Sequence, residues 1–474
     1  PEIWNGVTLS TLGSDWVNVS VSKLCGGQVT GPIKEQWLIA PGKMKGIVYY
    51  YSYDTPDAWG FPNTFQGKKA GVVRLRLGYP AEGLFGNCVI CHSVSANGTM
   101  LAASVAQSGD WSATYDLSTG AAPPPQIVRV ANPRPFMFPA LTPDGKRAFT
   151  SGAGDPQFNI TVIDSTIVDT STGAVIVPGL TSLYLPAFSP DGLFLAGTRL
   201  EKTSSAVSLV NNPGKGRLAM ADYDGNQNPP TVTNVRDVVV STNNKALGWP
   251  SFIPDSRAVV FQEGGDLQSK SNVLAELRLA QTASGSVNQL GALNGYLADG
   301  TTFYPPNGMA EDGQHNYVPT VLPRPIGGYY WVMFSSRRSY GNYLPPGATS
   351  VGSLIRRKIW VAAIDLDHDT KPDPSHPPFY LSGQPIEADA HRPFVALEPC
   401  KPEGASCESG ADCCAGYCRE TSRDASGLPV LQCVPPPPNS CSNIDEFCLT
   451  PADCCDQTLL CILNRCAIPT PPIY

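Results

Sequence analysis

Charge is scarce in this chain. Only 15% of its 474 residues are Asp, Glu, Lys or Arg, and the 33 basic residues are outnumbered by 40 acidic ones, for a net charge of -7. No basic footprint exists, which excludes nucleic acid as a partner. No apolar run approaches the ~18 residues a membrane-crossing helix needs, so no transmembrane segment is expected. No long stretch keeps a 3.6-residue apolar period, which argues against a helical bundle. Histidine is rare too: His92, His315, His368, His376 and His391 are the whole set. None of them sits in a zinc-protease motif, and the serine-hydrolase elbow Gly-x-Ser-x-Gly is missing. Before residue 400 there are only three cysteines, Cys25, Cys88 and Cys91. The chain shows no signal peptide and starts with Pro, which is expected of a processed, mature N-terminus.

What is abundant points to β-structure. Gly (45) and Pro (46) are both frequent, the composition of a turn-rich all-β protein. Residues 1–35 read as polar and irregular. Gln36–Ala40, Lys45–Tyr53 and Ala70–Leu77 follow as strands of one antiparallel unit. From residue 88 a repeat sets in. Phe138-Pro139-Ala140-Leu141-Thr142-Pro143-Asp144-Gly145 is matched by Leu185-Pro186-Ala187-Phe188-Ser189-Pro190-Asp191-Gly192 and, less fully, by Trp249-Pro250-Ser251-Phe252-Ile253-Pro254-Asp255-Ser256. Each copy leads into an apolar strand. Pro-Asp-Gly is a tight turn in which Pro presets φ and Gly takes a positive one. Gly98, Gly145 and Gly192 are spaced by 47 residues. Several short strands per period of 40–50 residues mean a β-propeller.

These segments resemble the propeller of TolB and its relatives, whose blades carry a Ser-Pro-Asp-Gly turn between their first two strands. The likeness covers roughly residues 88–381 and implies six blades: five from residue 88 onward, and one from the N-terminal unit closed by strands near Phe394–Leu397. At Val318-Pro319-Thr320-Val321-Leu322-Pro323 the turn is replaced by Arg-Pro-Ile-Gly-Gly. The expected fold class is therefore all-β: a propeller, six-bladed as the resemblance implies, spanning residues 1–398 and followed by two small disulfide-rich modules.

One motif carries chemistry. Cys88-Val89-Ile90-Cys91-His92 is a Cys-x-x-Cys-His run, the attachment pattern of a c-type haem. Each thiol would add to a porphyrin vinyl group as a thioether, and the adjacent His92 would become the proximal iron ligand. Competing readings are a disulfide, free thiols, or half a zinc site. Zinc lacks its second ligand pair. The motif also falls in repeat register, because Cys91–Gly98 aligns with Phe138–Gly145. His92 thus stands where other blades have Pro139, Pro186, Pro250 and Pro319, at the start of the innermost strand. The same register offers Met137 or His315 as a distal iron ligand. Asp365, Asp367 and Asp369 alternate like the start of a calcium loop, but Thr370 and His376 stand where an EF-hand needs Gly and Glu.

The tail has its own logic. Cys400, Cys407, Cys413, Cys414, Cys418 and Cys433 form one unit. Cys441, Cys448, Cys454, Cys455, Cys461 and Cys466 repeat its spacing. Spacing alone leaves 15 connectivities per unit open. The adjacent third and fourth cysteines resemble the inhibitor cystine knot, or knottin, which implies first–fourth, second–fifth and third–sixth pairing. The modules are expected at 399–434 and 441–474, joined by a stiff proline-rich linker at 435–440. Such cysteine density belongs to an oxidising compartment: periplasm, cell surface or medium. Cys25 is left over, as a buried inert thiol or a point of intermolecular bonding. The reading is a secreted c-type cytochrome with haem c, and with calcium as a second candidate ligand. It would serve electron transfer or redox chemistry with a redox partner protein or surface polymer, its cysteine-rich modules supplying adhesion or self-assembly. The alternatives are a haem-free scaffold contacting protein or polysaccharide, and an enzyme with its substrate in the channel.

Overall fold

The structure is a computed structural model. It describes residues 16–38, 40, 44, 46–61, 63–65, 68–86, 92–105, 111–131, 138–151, 153–154, 161–199, 216–267, 269, 273–297, 299–303, 312–338, 356–407, 412–414, 416–424, 427–435, 441–442, 448, 454–456, 460–462 and 465–467. Six antiparallel sheets form the blades of a propeller. Blade 2 runs through Ser93–Val94, Met100–Val105, Trp111–Asp116 and Gln126–Ala131, and blade 3 through Ala140–Leu141, Arg147–Phe149, Ser165–Asp169 and Val175–Leu180. Blade 4 is Leu183–Phe188, Phe194–Arg199, Arg217–Asp224 and Thr231–Val240. Blade 5 is Ala246–Phe252, Ala258–Gly264, Ala275–Gln281 and Val287–Gln289, and blade 6 is Asn316–Val321, Tyr329–Ser336, Lys358–Asp365 and Phe379–Tyr380.

Blade 1 closes the ring. Its innermost strand, Asp389–Ala396, comes from the far end of the propeller and pairs with Ile47–Tyr53 near the start. Phe394 faces Tyr49, Val395 faces Val48, and Ala396 faces Ile47. Lys68–Arg76 continues the sheet, with Asn63–Phe65 and Glu82–Gly86 on its outer edge. The first strands of all six blades touch their neighbours in a closed circle, which leaves no inner edge free. Apolar side chains alternate onto the faces between blades. Tyr49, Tyr51, Val72, Leu101 and Ala113 form one such layer, and Val260, Leu279, Val332, Phe334 and Trp360 another.

The turn after each innermost strand has a side-chain mechanism. In blade 3 the Thr142 hydroxyl donates to Asp144 Oδ1 at 2.6 Å, and the same carboxylate accepts from Lys146 N–H at 3.1 Å. Gly145 takes φ 76° and donates to Thr142 O. Ser189, Asp191 and Gly192 repeat this in blade 4. Blade 2 repeats it with Ser95, Asn97 and Gly98. In blade 5 Ser256 adopts the glycine's left-handed φ, at 61°. Blade 6 substitutes a tight turn on Gly327 and Gly328, both left-handed. Gly98 also needs its missing side chain, because a Cβ there would lie 2.0 Å from Leu397 O at the seam with blade 1.

Blades 5 and 6 are joined by a buried charge. Asp255 accepts from Tyr330 Oη at 2.9 Å and from Arg257 Nε at 2.7 Å, and lies 3.7 Å from His368 Nε2. Burial alone would raise its carboxyl, but the neighbouring His368 and the bonds from Arg257 hold it down at about 2. Its stabilisation is full above the unfolded value of about 3.9 and is lost as pH falls towards about 2. Asp255→Asn is expected to cost about 2 kcal/mol at pH 7 and to flatten the acid limb of stability below about pH 4. Denaturant titrations at pH 7 and pH 3 test this; equal losses at both pH values would refute it.

Two expectations are corrected at the N-terminus. Trp16–Cys25 and Gln28–Leu38 pair with each other as a separate hairpin, so this part of 1–35 is not irregular and Gln36–Leu38 is not part of blade 1. The reason is local: Gly26 and Gly27 both take positive φ (57° and 80°), which makes the two-residue turn that long hairpins favour. Cys25, expected to be buried, is an exposed free thiol beside that turn.

In the tail Cys400 bonds Cys414, Cys407 bonds Cys418, and Cys413 bonds Cys433, which is first with fourth, second with fifth, third with sixth. In the second unit Cys441 bonds Cys455, Cys454 bonds Cys466, and Cys448 is also disulfide-bonded. The side chain of Cys461 lies outside the described residues. Loops of this size give each crosslink about 3 kcal/mol of stabilisation on the chain-entropy account. Most of the expected linker is undescribed, but the two units touch: Tyr417 Oη and Ser442 Oγ share a buried hydrogen bond of 2.8 Å. No described helix is long and apolar enough to cross a membrane.

Candidate functional site at the channel mouth

Proline cannot donate to a strand ladder, so the Pro that opens each innermost strand must sit at an irregularity. It sits in a bulge. The pairing register breaks between Tyr184 and Ala187, Gly248 and Ser251, Tyr317 and Thr320, and His391 and Phe394. The residue before each Pro turns left-handed: Phe138 (φ 45°), Leu185 (52°), Trp249 (54°), Val318 (50°) and Arg392 (46°). Non-glycine residues adopt this conformation at a cost of roughly 1–3 kcal/mol each. Five blades thus share a strained X-Pro at one end of the channel. Arg392-Pro393, which the repeat pattern alone had not aligned with the other four, is the fifth.

The remaining blade, blade 2, is the one with the Cys-x-x-Cys-His motif. Its Ser95–Asn97–Gly98 turn fixes the register, and its innermost strand begins at Ser93 as blade 3 begins at Ala140. His92 therefore replaces the ring proline. Its imidazole is fully buried, 0% exposed, and meets the Phe394 ring edge-on at 5.4 Å. Cys88, Cys91 and Met137 lie outside the described residues.

The X residues form a plug. Phe138 and Trp249 meet edge to face at 5.5 Å, Leu185 packs with both, and Val318 packs against Trp249. The Arg392 guanidinium lies over three rings: Phe138 at 4.8 Å, Trp249 at 4.7 Å and Phe394 at 4.9 Å. Next to the plug the channel holds a cavity of about 100 Å³, lined by residues including Pro186, Pro250, Pro319, Arg392 and Phe394. Small-molecule sites start at roughly 300 Å³, so neither a porphyrin nor a sizeable substrate fits inside it. Of the residue types a c-type haem needs, the structure describes only His92, whose imidazole is buried against Phe394 at this mouth.

The other candidate residues are dispersed. His315 is buried at the entrance to blade 6, near Tyr317 at 6.4 Å. Blade 1 lies between its blade and that of His92. The three loop aspartates are already matched by cationic groups. Asp365 and Asp367 share Lys371 Nζ at 2.8 and 3.0 Å, Asp365 also meets His376 Nε2 at 2.8 Å, and Asp369 pairs with Arg257 at 3.1 Å. A further polar cluster, which the sequence reading missed, flanks the plug. Asp389 is gripped by Arg357, with Nη2 to Oδ2 at 2.5 Å, and His391 lies between Asp389 (3.6 Å) and Ser269 Oγ (3.3 Å). Burial would raise the Asp389 carboxyl, but the Arg357 and Arg337 guanidinium groups hold it well below the usual range. Burial, reinforced by Arg357, pushes His391 far down and keeps it neutral. With Asp389 committed to Arg357, this cluster braces the closing strand.

No family model matches the chain, and no curated protein matches it significantly. Among solved structures, TolB from Acinetobacter baumannii is similar over 83% of this chain and 85% of its own, with 12% identity and a TM-score of 0.43. Kuenenia stuttgartiensis hydrazine synthase is similar over 82% of this chain and 50% of its own, with 9% identity and a TM-score of 0.40. An oligogalacturonate lyase in complex with manganese is similar over 73% of this chain and 82% of its own, with 12% identity and a TM-score of 0.33. The propeller itself rests on the sheet topology.

Proposed function

We propose that the chain is a monohaem c-type cytochrome built on a β-propeller, active outside the cytoplasm in electron transfer or redox chemistry at the cell surface, with two knottin-like modules for adhesion or assembly. The observation that carries this reading is His92. It takes the place of a ring proline in the one blade whose preceding residues are Cys-x-x-Cys, and its imidazole is buried against Phe394. A chance motif has no reason to respect the register of the repeat. Cys88 and Cys91 would hold the porphyrin edge and His92 the iron. The haem would supply one-electron exchange at that iron. The small channel cavity favours this reading over an enzyme that encloses a substrate there. The disulfide-rich tail fits an oxidising compartment.

Two experiments test it. Intact mass is expected to exceed that of the polypeptide by one haem, with Cys88 and Cys91 both resistant to alkylation. Free thiols at both positions would leave the alternative, a haem-free scaffold that contacts protein or polysaccharide. For the distal position, Met137 sits in the neighbouring blade's register and is preferred to His315, whose blade is two places away. Met137→Ala is then expected to abolish the red charge-transfer absorption of a thioether–iron bond and to lower the potential. A wild-type spectrum in that variant would rule Met137 out.

A further inference from the structure

We propose that Ser269 is a nucleophile for acyl transfer, with His391 as its general base and Asp389 as the residue that orients the base. The proposal stands apart from the haem reading. Three elements converge on this serine. Ser269 follows the second strand of blade 5, His391 and Asp389 lie on the closing strand of blade 1, and Arg357 leads into the third strand of blade 6. No local motif announces a set drawn from three blades, so the missing Gly-x-Ser-x-Gly elbow does not exclude it.

The hydrogen bonds fix which atom carries which proton. A guanidinium only donates, and Arg357 Nη1 donates to Ser269 Oγ at 2.8 Å. The hydroxyl proton is left for His391 Nδ1, the acceptor at 3.3 Å. The imidazole N–H is then on Nε2, which faces Asp389 Oδ2 at 3.6 Å. This is the resting arrangement of an activated serine. The last distance exceeds a hydrogen bond, a looseness usual before a transition state is bound. Asp389 is itself fixed by Arg357, from the backbone N–H at 2.7 Å and from Nε at 3.0 Å. Arg337 Nε and Nη2 lie 3.4 Å from Ser269 O, so two guanidinium groups flank the serine where negative charge develops. Ser269 is half-buried and the His391 side chain is 16% exposed, so the set reaches the surface. In the reaction Ser269 Oγ bonds to the acyl carbon of an ester while its proton passes to His391 Nδ1. The bond from that carbon to the alcohol oxygen breaks, and the alcohol leaves with the proton. Water repeats both steps on the acyl-serine, which releases the acid and restores the hydroxyl. The substrate class is a carboxylic ester presented from outside, because the channel cavity of about 100 Å³ encloses nothing sizeable.

The test uses the full chain, a fluorophosphonate and p-nitrophenyl acetate. The folded protein is expected to take up one phosphonate, mapped to Ser269, and the urea-unfolded chain none. His391→Ala is expected to slow the labelling about 100-fold or more. Asp389→Asn is expected to lower kcat for p-nitrophenyl acetate at unchanged KM, a split that a merely structural loss does not give. A folded chain without label at Ser269 overturns the proposal, and so does an unchanged labelling rate in His391→Ala. A rise in KM alone for Asp389→Asn overturns the orienting role. Should His391→Ala fail to fold, the wild-type pH profile reads the same base. Asp389, Arg357, Arg337 and Tyr53 face His391, and burial with Arg357 keeps it neutral. The labelling rate is therefore expected to stay level from about pH 8 down to about pH 5. A fall through about 6.5, the ordinary imidazole value, would assign the base to another group.

Discussion

A chain that stops at Ala388 is expected not to fold as a propeller, whereas one that stops at Glu398 is expected to unfold in a single cooperative transition. The ten residues between them are the closing strand and its exit. Without them Ile47–Tyr53 becomes an open edge, and Val48, Tyr49, Tyr50 and Tyr51, all 0% exposed in the closed ring, face water. Buried apolar side chains of this kind contribute roughly 1.5–3 kcal/mol each. Losing Ala390, Phe394, Val395 and Ala396 together with cover over the tyrosines removes on the order of 10 kcal/mol, the whole net stability of a typical domain. The longer truncation keeps the seam contact from Leu397 N–H to Ala96 O at 2.9 Å and gives up only the disulfide modules. Circular dichroism with denaturant titration of the two truncations decides the matter. A cooperative transition in the shorter chain would show that five blades and an open edge suffice.

The second large effect is expected at Lys358. This lysine is buried, 2% exposed, and its Nζ donates to three carbonyl oxygens: Pro385 at 2.6 Å, Ile386 at 2.8 Å and Ala388 at 2.6 Å. All three belong to the turn that feeds the closing strand. Burial lowers the ammonium to about 8, so at pH 7 it is still charged and all three donor bonds are made. Lys358→Met fills the same space but strands three buried acceptors. At about 1–3 kcal/mol per unsatisfied group, the loss is expected to be at least about 3 kcal/mol. Urea titration reads it as a lower midpoint at unchanged slope. A loss under about 1 kcal/mol would mean that water replaces the ammonium without cost.

Much of the fold was legible because its determinants are local. Thr142, Asp144 and Gly145 make their turn with bonds among neighbours in sequence, so Pro-Asp-Gly marks a blade wherever it occurs. The closing strand at Phe394 was legible as an apolar segment with no other partner. The hairpin at Trp16–Leu38 was missed because its signal, alternating Val17, Val19 and Val21 before Gly26-Gly27, was outweighed by the polar residues between them. Arg392 was invisible for a different reason. Its meaning depends on Phe138 and Trp249, which come from other blades far away in sequence, and no Asp-Gly turn follows Pro393 to mark it as a repeat. The acidic loop shows the same limit. The spacing of Asp365, Asp367 and Asp369 was plain, but Arg257, which neutralises Asp369, arrives from blade 5.

The pairing of Asp389–Ala396 with Ile47–Tyr53 also sets a timetable. The ring cannot close until nearly the whole propeller has been synthesised, and contacts this distant in sequence form slowly. Blade 2 follows directly on blade 1, so His92 is made early and waits beside an open seam. Once Phe394 arrives, His92 is sealed from solvent. On the haem reading proposed above, covalent loading at Cys88 and Cys91 would belong to the interval before closure.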